Sequence, residues 1–197
     1  MKTADTPINL TNHFLIAMPG MADPHFSKSL TLVCEHTDKG AIGIIINKPT
    51  DLLYKEIFRQ VGLHLADPIL SESQTYFGGP VLPDRGFVLH QPLGEWNSTL
   101  RVSDVNVDDE DSLGLTTSKD ILEAMTRGQG PRKVLLTLGY AGWGPGQLED
   151  EIARNGWLTT PASPHIIFDL AHSMRLNAAI ATLGFSVANL SEVAGHA

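Results

Sequence analysis

The chain has 197 residues, of which 42% are hydrophobic and 18% charged. This length and apolar content suit one globular domain and exclude a disordered chain. The formal net charge of −8 repels a phosphate backbone, so direct nucleic-acid binding is not expected. The single cysteine, Cys34, excludes an intrachain disulfide, and no apolar run approaches the roughly 20 residues of a membrane helix. The composition therefore predicts a cytoplasmic protein without a membrane segment.

The first half of the chain alternates short apolar runs with turn residues. Residues 1–11 are polar and predict a flexible tail on a single domain that spans 1–197. The turn at 37–40 separates two β-rich runs and favours a hairpin. Asp51 is placed to cap the first helix. The predicted elements are strands at 13–18, 30–36 and 41–47, a helix at 52–60, and strands at 75–77, 86–90 and 100–102.

The second half places helices between its strands. A capping-box pattern at 117–120 starts a helix, and Asp169 is placed to cap the last one, which ends at Gly184. Because early strands are linked by a hairpin and later ones are separated by helices, the pattern predicts an α+β fold with a mixed sheet. The predicted elements are a helix at 118–126, a strand at 133–138, a helix at 147–154, a strand at 165–168 and the final helix.

Four glycines lie in the segment 139–146, between an apolar run and a helical pattern. This segment predicts a strand, a tight loop and a helix start. Gln147 stands where a dinucleotide fingerprint needs glycine, and no Lys-Ser or Lys-Thr follows as in a phosphate loop. The acids at 149–151 also repel phosphate. Two interpretations remain: the glycines let Tyr140 and Trp143 pack on a sheet, or these rings bind a small neutral or cationic ligand.

Cys34, Glu35 and His36 form a second group of reactive side chains. Alternation along a strand places Cys34 and His36 on one face and Glu35 on the other. A thiol beside an imidazole could be an activated nucleophile, with Glu35 as another base. The alternative is a buried thiol next to a histidine at the end of a hairpin. No Cys or His spacing indicates a metal site, and neither a metal nor a cofactor is expected.

Arg85 follows an unusual backbone turn at 78–80, where two glycines precede a proline. Its guanidinium could bind the carboxylate of a ligand through two hydrogen bonds. An internal partner, such as Asp84 or Glu149, fits the same pattern.

Polar and aromatic side chains beside glycines could line one ligand pocket. The leading hypothesis is a ligand-binding or regulatory protein without turnover, whose partner is a small molecule or another protein. The alternative is an enzyme that uses Cys34 with His36, or Glu35. The pocket candidates are Cys34, Glu35, His36, Asn47, Arg85, Tyr140, Trp143, Gln147 and Glu149.

Ordered motifs along nearly the whole chain resemble the bacterial YqgE/AlgH family, also called DUF179 or UPF0301. Because several unrelated motifs agree at once, the resemblance is far more specific than any one of them. The matching segments are 12–21, Cys34-Glu35-His36, Gly40-Ala41-Ile42-Gly43, Asn47-Lys48-Pro49, Gly78-Gly79-Pro80-Val81, 85–90, 138–151, Asn155-Gly156-Trp157-Leu158 and Gly195-His196-Ala197.

The resemblance implies a complex α+β fold, in which a branched sheet partly closes into a small barrel surrounded by helices. It implies no catalytic residues that can be carried over to this chain. One branch of the family is named for a proposed role in transcriptional control of alginate production. Direct DNA binding is opposed here by the charge of −8 and by the absence of a helix-turn-helix pattern with a basic face. An indirect role through a protein partner is compatible with both.

Overall fold

A computed structural model describes residues 9–104, 106–184, 186 and 190. The strands are β1 (His13–Ala17), β2 (Leu30–Thr37), β3 (Gly40–Ile45), β4 (Pro49–Leu53), β5 (Gln74–Phe77), β6 (Val81–Gln91), β7 (Thr99–Arg101), β8 (Gly114–Thr116), β9 (Lys133–Trp143) and β10 (Trp157–Pro161). The helices are α1 (Tyr54–Gln60), α2 (Pro68–Ser71), α3 (Lys119–Thr126), α4 (Gln147–Ala153), a π-helix (His165–Asp169) and α5 (His172–Thr182).

The sheet branches at β9. Its main path runs in the order β10-β1-β2-β3-β9-β6-β8-β7, and β5 also pairs with β9 and carries β4 on its other side. Only the β5–β9 pair is parallel among the described strands; the others are antiparallel. The antiparallel sheet curls into a half-barrel, so the predicted α+β fold with a branched, partly closed sheet is confirmed.

Side-chain alternation lets the sheet separate two hydrophobic clusters. On β1, Phe14 and Ile16 belong to the first cluster, which α5 and the π-helix cover, whereas Leu15 and Ala17 belong to the second. Successive strand residues point to opposite faces, so a strand buried on both sides must be apolar throughout. The second cluster lies under α4 and contains both Trp143 and Trp157.

Helices α1 and α3 enclose a third cluster against the other end of the sheet. Ile121, Ala124 and Met125 recur at helical spacing and form the buried face of α3. The Tyr54 hydroxyl accepts the backbone N–H of Leu136 on β9 at 2.9 Å, which fixes α1 to the sheet.

A crossing of two glycine-bearing segments lies at the branch point. Gly79 has φ of 155°, and a Cβ there would approach the backbone of Tyr140 to 2.1 Å. The unusual turn predicted at 78–80 is therefore explained by backbone-to-backbone contact between the start of β6 and β9.

Several predicted boundaries are wrong for reasons that lie outside the local pattern. Residues 165–168 form part of the π-helix instead of a strand, because a short buried apolar run has no periodicity that distinguishes the two. Asp51 lies within β4, which pairs with β5, so α1 begins only at Tyr54. Strands β4, β8 and β10 and helix α2 were not predicted.

The ends of the chain lie mostly outside the described residues. Of the predicted tail 1–11, residues 1–8 are not described, and Leu10 is buried in the second cluster. The terminal Gly195-His196-Ala197 motif is also outside the described part.

Candidate functional site

The first part of the glycine-rich segment is the end of strand β9, and the second part is a turn. Strand β9 continues through Trp143, and its residues 141–143 pair with β3. Gly43 of β3 makes room for the indole, because a Cβ there would lie 3.0 Å from the Trp143 ring. The turn at 144–146 then leads into α4, whose Gly146 cap has φ of 73°. Helix α4 thereby returns beside the strand that precedes it.

Two indole rings converge on one carboxylate of α4. Trp143 and Trp157 donate their Nε1–H groups to Oε2 of Glu151, at 2.9 and 2.8 Å. Gln147 donates Nε2–H to Oε1 at 2.9 Å, and its own Oε1 accepts the Gly144 N–H at 3.0 Å. Hydrogen bonds to an ionised acceptor are stronger than neutral ones. Both rings are therefore held at fixed orientations by a single half-buried carboxylate.

A cavity of about 280 Å³ opens beside these rings. Phe26, from the loop between β1 and β2, packs edge-on against Trp157 with ring centres 5.5 Å apart and tilts against Trp143 at 6.0 Å. The carboxylates of Asp23 and Glu151 line the cavity, and so does the guanidinium-bearing Arg154. We call this space the indole cavity. Aromatic walls with nearby carboxylates can hold a neutral or cationic molecule.

His36 lies next to this region and is joined to Glu149. Its Nδ1 accepts the backbone N–H of Leu10 at 3.1 Å, so that nitrogen carries no proton. The hydrogen therefore sits on Nε2, which donates to Glu149 Oε1 at 3.0 Å. Both ring nitrogens are occupied, and the buried imidazole connects the N-terminal segment to α4.

Cys34 does not share a face with His36, so the predicted alternation is wrong at this point. The β2–β3 register shifts between Val33 and Glu35, and such a bulge moves the following side chains to the opposite face. The thiol lies in the first cluster with no exposed surface, whereas the His36 ring meets Leu10 of the second. Burial, and secondarily the charge of Glu35, raises the pKa of Cys34 far above its usual range. A thiol with such a pKa is a poor nucleophile.

The remaining candidates occupy separate places. Asn47 accepts the N–H of Leu30 at 2.8 Å and donates to the Lys28 carbonyl at 2.9 Å, so it closes the turn before β2. Tyr140 packs on Phe87 of the first cluster, with ring centres 5.5 Å apart.

Glu35 is half-buried and lies opposite Ile42 in the hairpin. Arg85 is exposed, and its guanidinium carbon lies 6.0 Å from the centre of the Phe87 ring. The structure thus brings together Trp143 and Gln147, with His36 and Glu149 adjacent, and disperses the other candidates.

The residues that define the indole cavity were largely missed from sequence. Glu151 appeared only as one acid among three, and Trp157 only as part of a family motif. A usable signal exists: an indole N–H is a donor that needs an acceptor when buried. Trp143 and Trp157 flank α4 on both sides, so an acid on that helix was the nearest partner in the chain.

The described residues contain neither a metal site nor a membrane-spanning helix. No group of three or more His, Cys, Asp or Glu side chains is arranged to hold a metal ion within them. Within the same residues, no helix is both long and apolar enough to cross a membrane.

Comparison with known proteins places the chain among relatives of similar length. A family model described as AlgH-like matches residues 14–188. A UPF0301 protein of Nitrosospira multiformis is 51% identical over 190 residues, which cover 96% of this chain and 98% of the relative. A UPF0301 protein of Cupriavidus metallidurans is 52% identical over 197 residues, which cover both chains completely.

Two solved structures share the architecture. The solution structure of the AlgH protein from Pseudomonas aeruginosa has a TM-score of 0.76 and 44% identity, with both chains fully covered. A crystal structure of a protein from Corynebacterium diphtheriae has a TM-score of 0.61 over 85% of this chain and 83% of the other. At 20% identity, the second likeness concerns the fold alone.

Proposed function

This chain belongs to the AlgH-like family, and we propose that it is a cytoplasmic ligand-binding protein without covalent chemistry, which takes a small neutral or cationic molecule into the indole cavity. The observation that carries the proposal is the pair of indoles fixed on Glu151. A cavity wall that is already ordered loses little entropy when a ligand arrives. The three N–H groups on the Glu151 carboxylate supply that order.

The charge around the cavity selects the ligand. Asp23 and Glu151 line it, and the exposed Glu149 and Asp150 lie on the same helix. Neutral donors disperse the charge of Glu151 without cancelling it. Arg154 is the only cation among the described residues that line the cavity. A cationic or neutral molecule that stacks on the rings is therefore favoured over a phosphate.

The absence of turnover is supported by the surroundings of the reactive side chains. The Cys34 thiol is buried and its pKa is raised by desolvation. Both nitrogens of His36 are hydrogen-bonded, so neither is free to accept a proton from a substrate. The enzyme alternative would require Glu35 or a rearranged His36 to act.

We propose that any role in transcription is indirect and passes through a protein partner. The charge of −8 opposes contact with DNA. A gel-shift assay at low salt should give no complex, whereas a specific shift would contradict this part of the proposal.

The ligand is best sought in a variant with a single fluorescent region. The chain has three tryptophans, and Trp96 lies apart from the cavity, edge-on to His90. In Trp96→Phe, tryptophan emission comes only from Trp143 and Trp157. A library of neutral, cationic and anionic metabolites is screened for a rise in Tm and a change in that emission.

We expect hits among neutral or cationic members that both raise Tm and alter emission. Asp23→Asn should weaken the cationic hits, and the exposed Asp38→Asn, outside the cavity, serves as the matched control. A screen in which no compound changes either signal, or in which only anions do, would overturn the proposal.

A further inference from the structure

A second cavity, of about 180 Å³, lies where α1 and α3 meet β6 and β9. Its floor is aliphatic, so it can take an apolar group out of water. Val61 at its edge is 38% exposed, which leaves apolar surface uncovered. The aliphatic lining residues are Ile57, Val61, Val88, Leu122, Leu136 and Leu138.

The rim of this second cavity carries Arg85. The β6–β9 register jumps from Val81–Tyr140 to Gly86–Leu138, so residues 82–85 leave the sheet as an arm that ends in Arg85. Within the described part of the chain, no carboxylate lies within 4.0 Å of its guanidinium. Lys119, also at the rim, meets Glu123 only loosely, at 3.9 Å. The guanidinium lies 6.0 Å from the centre of the Phe87 ring and has no ion-pair partner among the described residues. A chain of net charge −8 thus places a cation without an acidic partner beside an apolar floor.

We propose that this second cavity binds a small aliphatic carboxylate. The tail lies on the aliphatic floor, and the carboxylate accepts two hydrogen bonds from the Arg85 guanidinium, whose fork matches that geometry. Thr117 lines the same cavity, and its hydroxyl adds a neutral donor. Asp84 is the only acid among the described residues that line the cavity, and it repels a second negative charge. The ligand is therefore a monoanion.

This site is separate from the indole cavity and favours the opposite charge. The two lining sets share no residue. Failure of one proposal therefore leaves the other standing.

Calorimetric titration of the full chain with hexanoate tests the site. Hexylamine, hexanol and acetate serve as probes of the head group and the tail. We expect hexanoate to bind at least about tenfold more tightly than each of them, as a charge-assisted contact and a buried tail together require. Arg85→Gln should weaken hexanoate at least about tenfold and leave hexanol unchanged. Arg127→Gln, an exposed arginine outside the cavity, should leave hexanoate binding unchanged.

Two further variants test where hexanoate binds and whether its negative charge matters. Val61→Asn should weaken hexanoate, and Asp84→Asn should strengthen it because a like charge is removed. Hexanoate should not alter the emission of Trp143 and Trp157 in Trp96→Phe. The proposal is overturned if hexanoate does not bind, if hexanol binds as tightly, or if Arg85→Gln binds it as the unaltered chain does.

Discussion

Strand β9 borders two cavities that differ in their charged groups. One holds a carboxylate that is hydrogen-bonded within the protein, and the other carries an exposed guanidinium. Near its end, Trp143 and Trp157 hold the Glu151 carboxylate with short N–H bonds, and acids dominate the surroundings. Near its middle, Leu136 and Leu138 form the floor of a cavity whose rim carries Arg85. Among the residues that the structure describes, Arg85 has no acidic partner. The charge of Glu151 is bound by other side chains of the protein, whereas the charge of Arg85 faces solvent.

Because of this difference, removal of the first charge should affect stability, and removal of the second should affect binding. A charge that is satisfied inside the protein is destabilising to remove, because its former partners are left buried and unpaired. An exposed charge without partners contributes little to folding, so its removal changes only what it would bind. Variants at Glu151 should therefore destabilise the protein, whereas variants at Arg85 should alter only recognition.

The largest expected effect concerns the first hydrophobic cluster, which the sheet separates from the second. Cys34 lies in that core with no exposed surface and a raised pKa. Alkylation of its thiol at pH 8 should be at least about 1,000-fold slower in the native chain than in urea, because exposure requires opening of the core. Rates measured with iodoacetamide provide the test, and a native rate within tenfold of the unfolded one would show that the core is not closed.

Removal of the internal charge comes next. Glu151→Ala leaves two indole N–H groups and Gln147 without their acceptor, so it should lower the free energy of unfolding by about 3 kcal/mol. The Glu123 carboxylate meets Lys119 at 3.9 Å and no other cation among the described residues, so Glu123→Ala should change the free energy of unfolding by less than about 0.5 kcal/mol. Urea denaturation measures both. Equal effects would mean that the indoles do not depend on Glu151.

Stability is expected to depend on pH through His90, which lies next to the second cavity. His90 is buried, and its Nδ1–H donates to the Pro92 carbonyl at 2.8 Å. Its Nε2 lies 2.8 Å from the hydroxyl of Thr116, which lines that cavity. Burial lowers the pKa of His90, against a smaller opposing effect of the Pro92 carbonyl. The unfolded chain therefore binds the proton more readily, and stability is lost as pH falls below about 6.5, the unfolded pKa.

Denaturation midpoints between about pH 7.5 and 5 measure this loss. In His90→Gln the decline should be shallower, although the variant is itself less stable at neutral pH. An identical slope in both chains would assign the pH dependence to other groups.

The smallest effect is expected from the exposed charge. Arg85→Gln should change the free energy of unfolding by less than about 0.5 kcal/mol, since the side chain is exposed and forms no ion pair with any described residue. The urea midpoint measures this, and a loss above about 1 kcal/mol would show that Arg85 has a structural role.

The sequence predicted best where neighbours in the chain set the structure. The hairpin of β2 and β3, the amphipathic α3 and the start of α4 all follow from turns, caps and periodicity. It predicted the indole cavity only in part: Trp143 and Gln147 were chosen, whereas Trp157 and Glu151 were not. Their meeting depends on β10 pairing with β1, a contact between distant segments. The same limit explains Cys34, because one shifted register position in β2 reversed the side on which His36 lies.

By itself, the sequence determined the α+β class, the resemblance to the AlgH-like family and the mismatch with phosphate loops, since composition, ordered motifs and local spacing carry that information. Only the tertiary structure decided which side chains share a site. Strand register, the bulge at Cys34 and the crossing at Gly79 place each side chain on one face or the other. Those placements arise from pairing between segments far apart in the chain, which no local pattern encodes.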